Sequence, residues 1–216
     1  AIEALGAAAR ESGAQAIVYT SGIWVLGPTS GADESAPVNP LPLVAFRPAH
    51  QDAVLALGSD SLRAIVLRPG VVYGGGRGIV GDMVRDAENG IMRVIGTGEN
   101  HWPLVYDRDL ADLYVRLIGS AEASGIYPAT DDTQFTVGEV AAAIAAHPQQ
   151  RPDIRFMPLA EARTKMGPYA DALALDQVVR SPRARALGWQ PTLGSIVNNV
   201  PRLFEEWRNA RTAKRA

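Results

Sequence analysis

The chain has 216 residues, a formal net charge of −2, 47% hydrophobic residues and no cysteine. This length suits one large domain or one and a half small ones, with enough apolar side chains for a sizeable core. The balanced charge gives no basic surface for nucleic acid, and the lack of cysteine excludes disulfides and thiolate metal sites. No apolar run reaches the about 18 residues of a membrane span, and the first residues lack a signal-peptide pattern. We therefore expect a cytoplasmic protein without a nucleic-acid or membrane partner.

Residues 1–90 alternate between helical sequence and short apolar strands. Such alternation is typical of a parallel sheet whose strands are joined by helical crossovers. Pro48 interrupts the second helix, which either kinks there or begins at Pro48, because proline is tolerated in the first turn but not inside a helix. The predicted helices cover 1–12, about 43–57 and 79–89, the strands 15–20 and 62–67, and the loops 27–42 and 69–78.

After residue 90 the predicted elements are shorter and are separated by more loop. Asp107 or Asp109 is predicted to cap one helix and Thr136 another, where Glu139 three residues later completes the pattern of a capping box. The strands predicted in this part cover 91–95, 104–106, 125–129 and 153–157, and the other helices cover 159–166, 168–177, 181–187 and about 193–211. We find no internal repeat.

Two of the apolar strands lead into loops of small residues. The first does so through Thr20-Ser21-Gly22 and the second through Arg68-Pro69-Gly70. Buried strands of this kind are typical of parallel sheets, and ligands bind where such strands end. Together with Ala-Leu-Gly-Trp-Gln-Pro at 186–191, these motifs resemble the extended short-chain dehydrogenase/reductases, the NAD-dependent epimerase/dehydratase family. The resemblance runs over almost the whole chain.

The resemblance implies an α/β fold with a partial Rossmann-type parallel sheet and flanking helices. Residues 1–90 would be the C-terminal half of a nucleotide-binding domain. Residues 91–216 would form a small substrate-binding α/β lobe and the C-terminal helices, with elements interleaved between the two parts. Half a sheet has an open edge strand, so we expect either a homodimer or a separate N-terminal fragment to cover it.

The resemblance also implies NAD or NADP as the cofactor. In the family a glycine-rich turn holds the pyrophosphate, roughly a hundred residues before the Thr-Ser-Gly strand, and nothing in this chain corresponds to it. We therefore expect the chain by itself to bind dinucleotide weakly or not at all. Gly76, Gly78 and Gly81 match a glycine fingerprint, but they stand several residues after the strand end. That position favours a flexible linker over a phosphate-binding loop.

Family members use a tyrosine as acid or base, a lysine four residues later, and a serine after the preceding strand that binds the substrate oxygen. Ser21 matches that serine, and its neighbour Thr20 is assigned to the cofactor. Val44 and Pro48 hold the tyrosine and lysine positions, and the sequence contains no Tyr-x-x-x-Lys. This departure points to atypical members of the superfamily. His50 on the same helix is a candidate replacement acid, because imidazole titrates near neutrality; the alternative is a half-exposed histidine without a role.

The loop after the second strand resembles the family loop that passes over the nicotinamide, which implies contacts from Pro69 and Gly70 to the carboxamide. Val71 stands where nucleotide-sugar enzymes often place asparagine, and Trp102 where they place an arginine against the diphosphate. We therefore assign Val71, His101 and Trp102 to a substrate that is smaller and less charged than a nucleotide sugar. The alternative for Trp102 is packing between the lobes. The histidines are scattered, so no metal site is expected.

Two functions remain open at this point. The first is an NAD(P)-dependent oxidoreductase or epimerase/dehydratase-like enzyme that acts on a small carbonyl or hydroxyl substrate. The second is a non-catalytic binding or scaffold protein that keeps the fold; the missing tyrosine and lysine favour it, whereas the retained loops favour the first. Both depend on two strands being parallel neighbours that bring Thr20-Ser21 and Pro69-Gly70 to one rim.

Overall fold

The computed structural model describes residues 2–213, in which parallel strands are flanked by helices. The helices are α1 (Ile2–Glu11), α2 (Arg47–Leu55), α3 (Gly78–Glu88), α4 (Asp107–Gly119), α5 (Val137–Ala145), α6 (Leu159–Met166), α7 (Tyr169–Leu173), α8 (Pro182–Ala186) and α9 (Val200–Ala213). The strands are β1 (Ala16–Thr20), β2 (Thr29–Ala32), β3 (Arg63–Pro69), β4 (Val71–Tyr73), β5 (Ile91–Ile95), β6 (Leu104–Tyr106), β7 (Gly125–Ala129), β8 (Asp153–Met157) and β9 (Gln177–Val179). None of these helices is long and apolar enough to cross a bilayer.

The sheet that positions the site has the order β1-β3-β7, and both pairings are parallel. Thr20 at the end of β1 is paired with Leu67 of β3, and Pro69 at the end of β3 is paired with Ala129 of β7. The middle strand is buried on both faces, since the neighbouring residues Val66 and Leu67 point to opposite sides and are both inaccessible to solvent, as expected for a strand covered on both sides. The predicted parallel neighbourhood of the two motif-bearing strands is therefore confirmed, and with it the Rossmann-type α/β class.

The remaining strands form parallel pairs, β2 with β9, β4 with β6 and β5 with β8. The largest apolar cluster packs α3, α5 and α9 around β5, with Met92, Ile144 and Phe204 among its buried members. A second cluster packs α4 under the first sheet and includes Leu117 and Trp189, whose Nε1 donates to the main-chain oxygen of Asp109 over 2.8 Å. β7 joins the first sheet although it follows most of these elements in the chain, so early and late segments share one sheet.

Of three predicted helix boundaries, two agree with local sequence chemistry and one does not. The capping box is present, because Glu139 N donates to Thr136 Oγ1 over 3.1 Å and Thr136 N donates to Glu139 Oε2 over 2.8 Å. Of the two alternatives for Pro48, a place in the first turn of α2 is the correct one. α4 begins at Asp107, but its N-cap is Tyr106 and makes no side-chain cap hydrogen bond, so the predicted cap at Asp107 or Asp109 was wrong.

Other local predictions were wrong. The predicted loops 27–42 and 69–78 contain β2 and β4, and the predicted helix 168–177 ends at Leu173, with Gln177 already in β9. These short strands exist because of distant parallel partners, which local composition does not reveal. The last helix begins at Val200 instead of near residue 193, because Gly194 has a left-handed conformation (φ 71°) and Asn199 Nδ2 donates to Leu193 O over 2.6 Å.

Candidate functional site

A cavity of about 380 Å³ opens at the carboxyl ends of β1 and β3. We call it the Ser21 cavity. It is lined by the turns after β1 and β3 and by the beginnings of α2 and α3, so it sits where parallel strands present their ends to ligands. Its lining brings together most of the residues predicted for cofactor and substrate, namely Thr20, Ser21, Pro69, Gly70 and Val71.

Behind this cavity lies a chain of buried hydrogen bonds that the sequence analysis did not anticipate. Arg68 Nε and Nη2 donate to Gln51 Oε1 over 2.9 and 2.6 Å, and Gln51 Nε2 donates to Ser21 Oγ over 2.8 Å. Arg68 and Gln51 are 2% exposed and Ser21 is 6% exposed. Burial lowers the pKa of the Arg68 guanidinium, and the nearby Asp52 carboxylate opposes that shift. The serine expected to bind substrate is thus anchored from behind by two polar side chains.

Gly70 is required by the packing of the chain itself. A Cβ at this position would collide with the carbonyl oxygen of Pro103. Gly70 N donates to Ala129 O over 2.9 Å and Val71 N to Pro103 O over 2.7 Å, and Pro69 has no N–H. These two N–H groups are therefore already used within the protein. The predicted contact of Pro69 and Gly70 with a carboxamide stays a prediction, and it would not use these N–H groups.

The positions predicted for the family's tyrosine and lysine give the cavity different chemistry. Val44 is buried and lines the cavity, whereas Pro48 lies in the first turn of α2. Arg47 also lines the cavity and donates from Nη1 to Thr20 O over 3.3 Å. Its buried Nε has no hydrogen-bond partner within residues 2–213. A guanidinium with a spare donor therefore stands one residue before the predicted lysine position, a substitution that spacing alone could not identify.

The structure does not bring His50 to the cavity. Its ring is exposed on α2, with Nδ1 3.4 Å from the Tyr19 hydroxyl and an edge-on contact to Phe46 at 5.4 Å between ring centroids. Thr20, which does line the cavity, hydrogen-bonds through Oγ1 to the Tyr114 hydroxyl. A role for His50 as an acid stays a prediction, and its position on the outside of α2 gives that role no support.

Trp102 lines a separate cavity of about 240 Å³, which we call the Trp102 cavity. The indole is buried, and its Nε1 donates to Leu173 O over 3.0 Å, so the polar atom of the ring is bound to the protein. Ile79 belongs to the lining of both cavities. Trp102 thus packs in the core and borders a cavity at the same time, which combines the two alternatives considered for it. Apolar partners in the lining are Met83, Val94, Ile95, Val137, Met157, Met166 and Leu173.

His101 lies beside Trp102 in the chain but outside both linings. Its Nδ1 and its main-chain nitrogen are each 2.8 Å from Asp176 Oδ1. Burial acts to raise the pKa of Asp176, but the hydrogen bonds from His101 together lower it. The contact ties the segment before β6 to the segment before β9, so the structure gives His101 a bracing role, and its part in substrate binding remains a prediction.

The glycine-rich turn before α3 is a packed element. A Cβ on Gly76 would come within 2.7 Å of Trp207 Cα in α9, and one on Gly81 within 2.7 Å of the carbonyl carbon of Gly76. Gly75 N donates to Glu206 Oε2 over 3.0 Å. The expectation of a flexible linker was wrong, because contact with α9 explains why small residues are needed here.

The family model for the NAD dependent epimerase/dehydratase family matches residues 3–129, more than half of the chain. The chain belongs to this family. The epimerase family protein SDR39U1 of Bos taurus is 27% identical over 192 residues, which cover 86% of this chain and 65% of the relative. The uncharacterized protein C2A9.02 of Schizosaccharomyces pombe is 29% identical over 170 residues, covering 76% of this chain and 55% of that protein. The chain therefore spans less than two thirds of the length of these curated relatives.

Solved structures show the same fold at lower sequence identity. Human epimerase family protein SDR39U1 (isoform 2), crystallised with NADPH, has a TM-score of 0.80 and 23% identity over 94% of this chain and 72% of that one. UDP-glucose 4-epimerase of Thermus thermophilus, in complex with NAD, has a TM-score of 0.79 and 22% identity over 97% of this chain and 69% of that one. At these identities the likeness establishes the Rossmann-like architecture.

Proposed function

We propose that the protein is an NAD(P)-dependent oxidoreductase or epimerase-like enzyme that acts on a small carbonyl or hydroxyl compound. The observation that carries this proposal is the convergence of Ser21, Pro69 and Gly70 on one cavity at the ends of adjacent parallel strands. Membership of the family supports a nicotinamide cofactor, as do the NADPH and NAD complexes of proteins with this fold. A bound nicotinamide supplies hydride transfer.

The lining of the Ser21 cavity fits one half of such a cofactor. Pro69, Gly70 and Val71 offer an apolar surface to a planar ring, and the guanidinium of Arg47, which also lines the cavity, suits ribose hydroxyls or an anionic group. Val44 adds a buried apolar side chain to the same lining. Ser21 then binds the oxygen of the substrate.

The Trp102 cavity supports a substrate other than a nucleotide sugar. Its lining contains one cation, Arg93, and two carboxylates, Asp82 and Asp86, so a diphosphate would meet a net negative rim. Trp102, at the position where nucleotide-sugar enzymes place an arginine, offers an apolar ring whose N–H is already donated to Leu173. An apolar substituent on the substrate would be buried here, and each buried methylene would contribute about 0.8 kcal/mol to binding.

One observation favours binding without catalysis as a second candidate. Among the described residues, the lining of the Ser21 cavity contains no histidine, carboxylate, lysine or tyrosine. General acid–base catalysis needs a group that exchanges a proton near the working pH. In this alternative the cavity would bind a nicotinamide or a carbonyl compound without turnover.

The test offers small aldehydes and ketones to the protein with either NADPH or reduced nicotinamide mononucleotide as hydride donor. The mononucleotide needs no pyrophosphate-binding turn. We expect carbonyl-dependent oxidation of the donor, followed by absorbance, which is lost in Ser21→Ala and kept in Ser30→Ala, a change at an exposed serine. Calorimetric binding of a donor without oxidation would select the second candidate. Calorimetric binding of UDP-glucose would contradict the proposed substrate class.

A further inference from the structure

We propose that Gln51, held by Arg68, fixes the Ser21 hydroxyl as a hydrogen-bond donor toward the Ser21 cavity, so that the site selects an oxygen acceptor. The chemical identity of that acceptor, a substrate carbonyl, rests on the proposed function. The polarity of the hydrogen bonds rests only on three buried side chains. Ser21 contacts the ligand, and Gln51 and Arg68 are positioning residues.

The orientation of the Gln51 amide follows from the chemistry of arginine. A guanidinium has five N–H donors and no acceptor. Arg68 Nε and Nη2 both approach the same atom of Gln51, at 2.9 and 2.6 Å. Only a carbonyl oxygen can accept both bonds, since an amide NH₂ would oppose donors to donors. The amide therefore cannot turn over while Arg68 is in place.

The direction of the next hydrogen bond follows in turn. With Oε1 facing Arg68, the NH₂ of Gln51 faces Ser21, and Nε2 lies 2.8 Å from Oγ. An amide nitrogen only donates, so Ser21 Oγ is the acceptor and its proton must point elsewhere. No other residue of the described chain accepts that proton in a hydrogen bond. Because Ser21 lines the cavity, the free donor is available to a ligand.

Burial stabilises the hydrogen bonds in this direction. All three side chains are almost fully enclosed, where hydrogen bonds are stronger than in water and an unpaired group is costly. A ligand that presents a carbonyl oxygen completes the chain of donors. A ligand that presents an N–H or an ammonium places donor against donor and is rejected, as in other sites built around a specific hydrogen bond.

The decisive variant is Gln51→Glu. A carboxylate has the same shape and keeps the pairing with Arg68, but it offers an acceptor to Ser21, which would then donate its proton inward. We expect the melting temperature to stay close to that of the parent protein. We also expect kcat/KM for carbonyl reduction to fall on the order of 100-fold, to the level of Ser21→Ala. In the double variant, Gln51→Glu with Ser21→Ala, kcat/KM should fall no further than in either single variant, since both changes remove the same interaction.

Gln134→Glu is the matched control, because it makes the same chemical change at an exposed position. It should leave kcat/KM unchanged. If Gln51→Glu reduced carbonyl compounds as fast as the parent protein, the positioning role would be wrong although the proposed function would stand.

Neutron diffraction from deuterated crystals reads the polarity without any activity. We expect two deuterons on Gln51 Nε2, one of them toward Ser21, and the Ser21 deuteron toward the cavity. A Ser21 deuteron on the line to Gln51 would overturn the inference. If the predicted deuterons were found but no carbonyl compound were reduced, the hydrogen-bond chain would stand and the proposed function would fall.

Discussion

The Ser21 cavity and the Trp102 cavity share Ile79 in their linings, but they are surrounded by different kinds of side chain. The first is backed by buried polar side chains whose hydrogen bonds all run toward Ser21. The second is lined largely by apolar side chains, and the N–H of Trp102 is bound to Leu173. The two cavities therefore suit different parts of one ligand. The Ser21 cavity can orient a polar atom, whereas the Trp102 cavity suits apolar surface.

The largest loss of stability is expected from Trp102→Ala, in the lining of the Trp102 cavity. It removes a large buried side chain and leaves a void, so the free energy of unfolding should fall by about 3–5 kcal/mol. Urea unfolding measures the change. Trp102→Phe is the control, since it keeps an aromatic ring and should cost less. A loss below about 1 kcal/mol for Trp102→Ala would mean that the cavity wall is not part of the core.

Gln51→Leu should have the next largest effect, because it leaves the buried Arg68 guanidinium without its hydrogen-bond acceptor. The expected loss in the free energy of unfolding is about 3 kcal/mol. Gln51→Glu has a similar shape and keeps the acceptor, so its stability should stay near that of the parent protein. Equal losses in both variants would show that shape, and not the hydrogen bond to Arg68, is what stabilises this wall.

Gly70→Ala tests the lining of the Ser21 cavity where it contacts the segment before β6. Its methyl group would collide with the oxygen of Pro103, the residue next to Trp102, and we expect a loss of about 2 kcal/mol from overpacking. Gly22 offers a matched control, because it lines the Ser21 cavity and a Cβ there meets nothing within 4 Å. Chemical denaturation of both variants gives the comparison. Similar stabilities would refute the close contact.

The smallest effect is the pH dependence of stability due to Asp131, which follows β7 and donates from its main-chain nitrogen to Leu104 O of β6. Burial raises the pKa of Asp131 from 3.8 to about 6, against the lowering effect of hydrogen bonds from Thr133. The folded state therefore binds this proton more tightly than the unfolded state. Stability should rise by about 1 kcal/mol as the pH falls from 7 to 5, and should be fully gained below the unfolded pKa.

Asp131→Asn should remove this gain, because the amide does not titrate. Unfolding curves at several pH values for both proteins provide the check. A parent protein whose stability falls between pH 7 and pH 5, with the same slope in Asp131→Asn, would assign the pH dependence to other groups.

The sequence was sufficient to predict that the two strand ends around Ser21 lie side by side. Continuous apolar runs ending in Thr20-Ser21 and Pro69-Gly70 predicted two parallel strands, and parallel strands bring their ends to one edge. The family resemblance then assigned roles to these residues. Family membership and the α/β class follow from such local features, because the motif residues lie within a few positions of each strand end.

The parts that could not be predicted depend on contacts between distant segments. Gln51 and Arg68 are ordinary polar residues in the sequence, and only the packing of α2 against β3 reveals them as partners of Ser21. β2 was missed because its partner β9 lies near the other end of the chain. The close packing at Gly70 was missed for the same reason, since the atom that occupies the place of a side chain belongs to Pro103.

The place of β7 in the first sheet has a consequence for how this protein reaches its native state. β3 pairs on one side with β1, which precedes it in the chain, and on the other side with β7, which is synthesised only after α3 and α4. Contacts of such long sequence separation slow folding, because the entropy of closing the intervening loop is lost before the contact forms. Until β7 is in place, the middle strand of this sheet has one unpaired edge. Expression at high concentration should therefore favour aggregation of nascent chains, and a chaperone should improve the soluble yield.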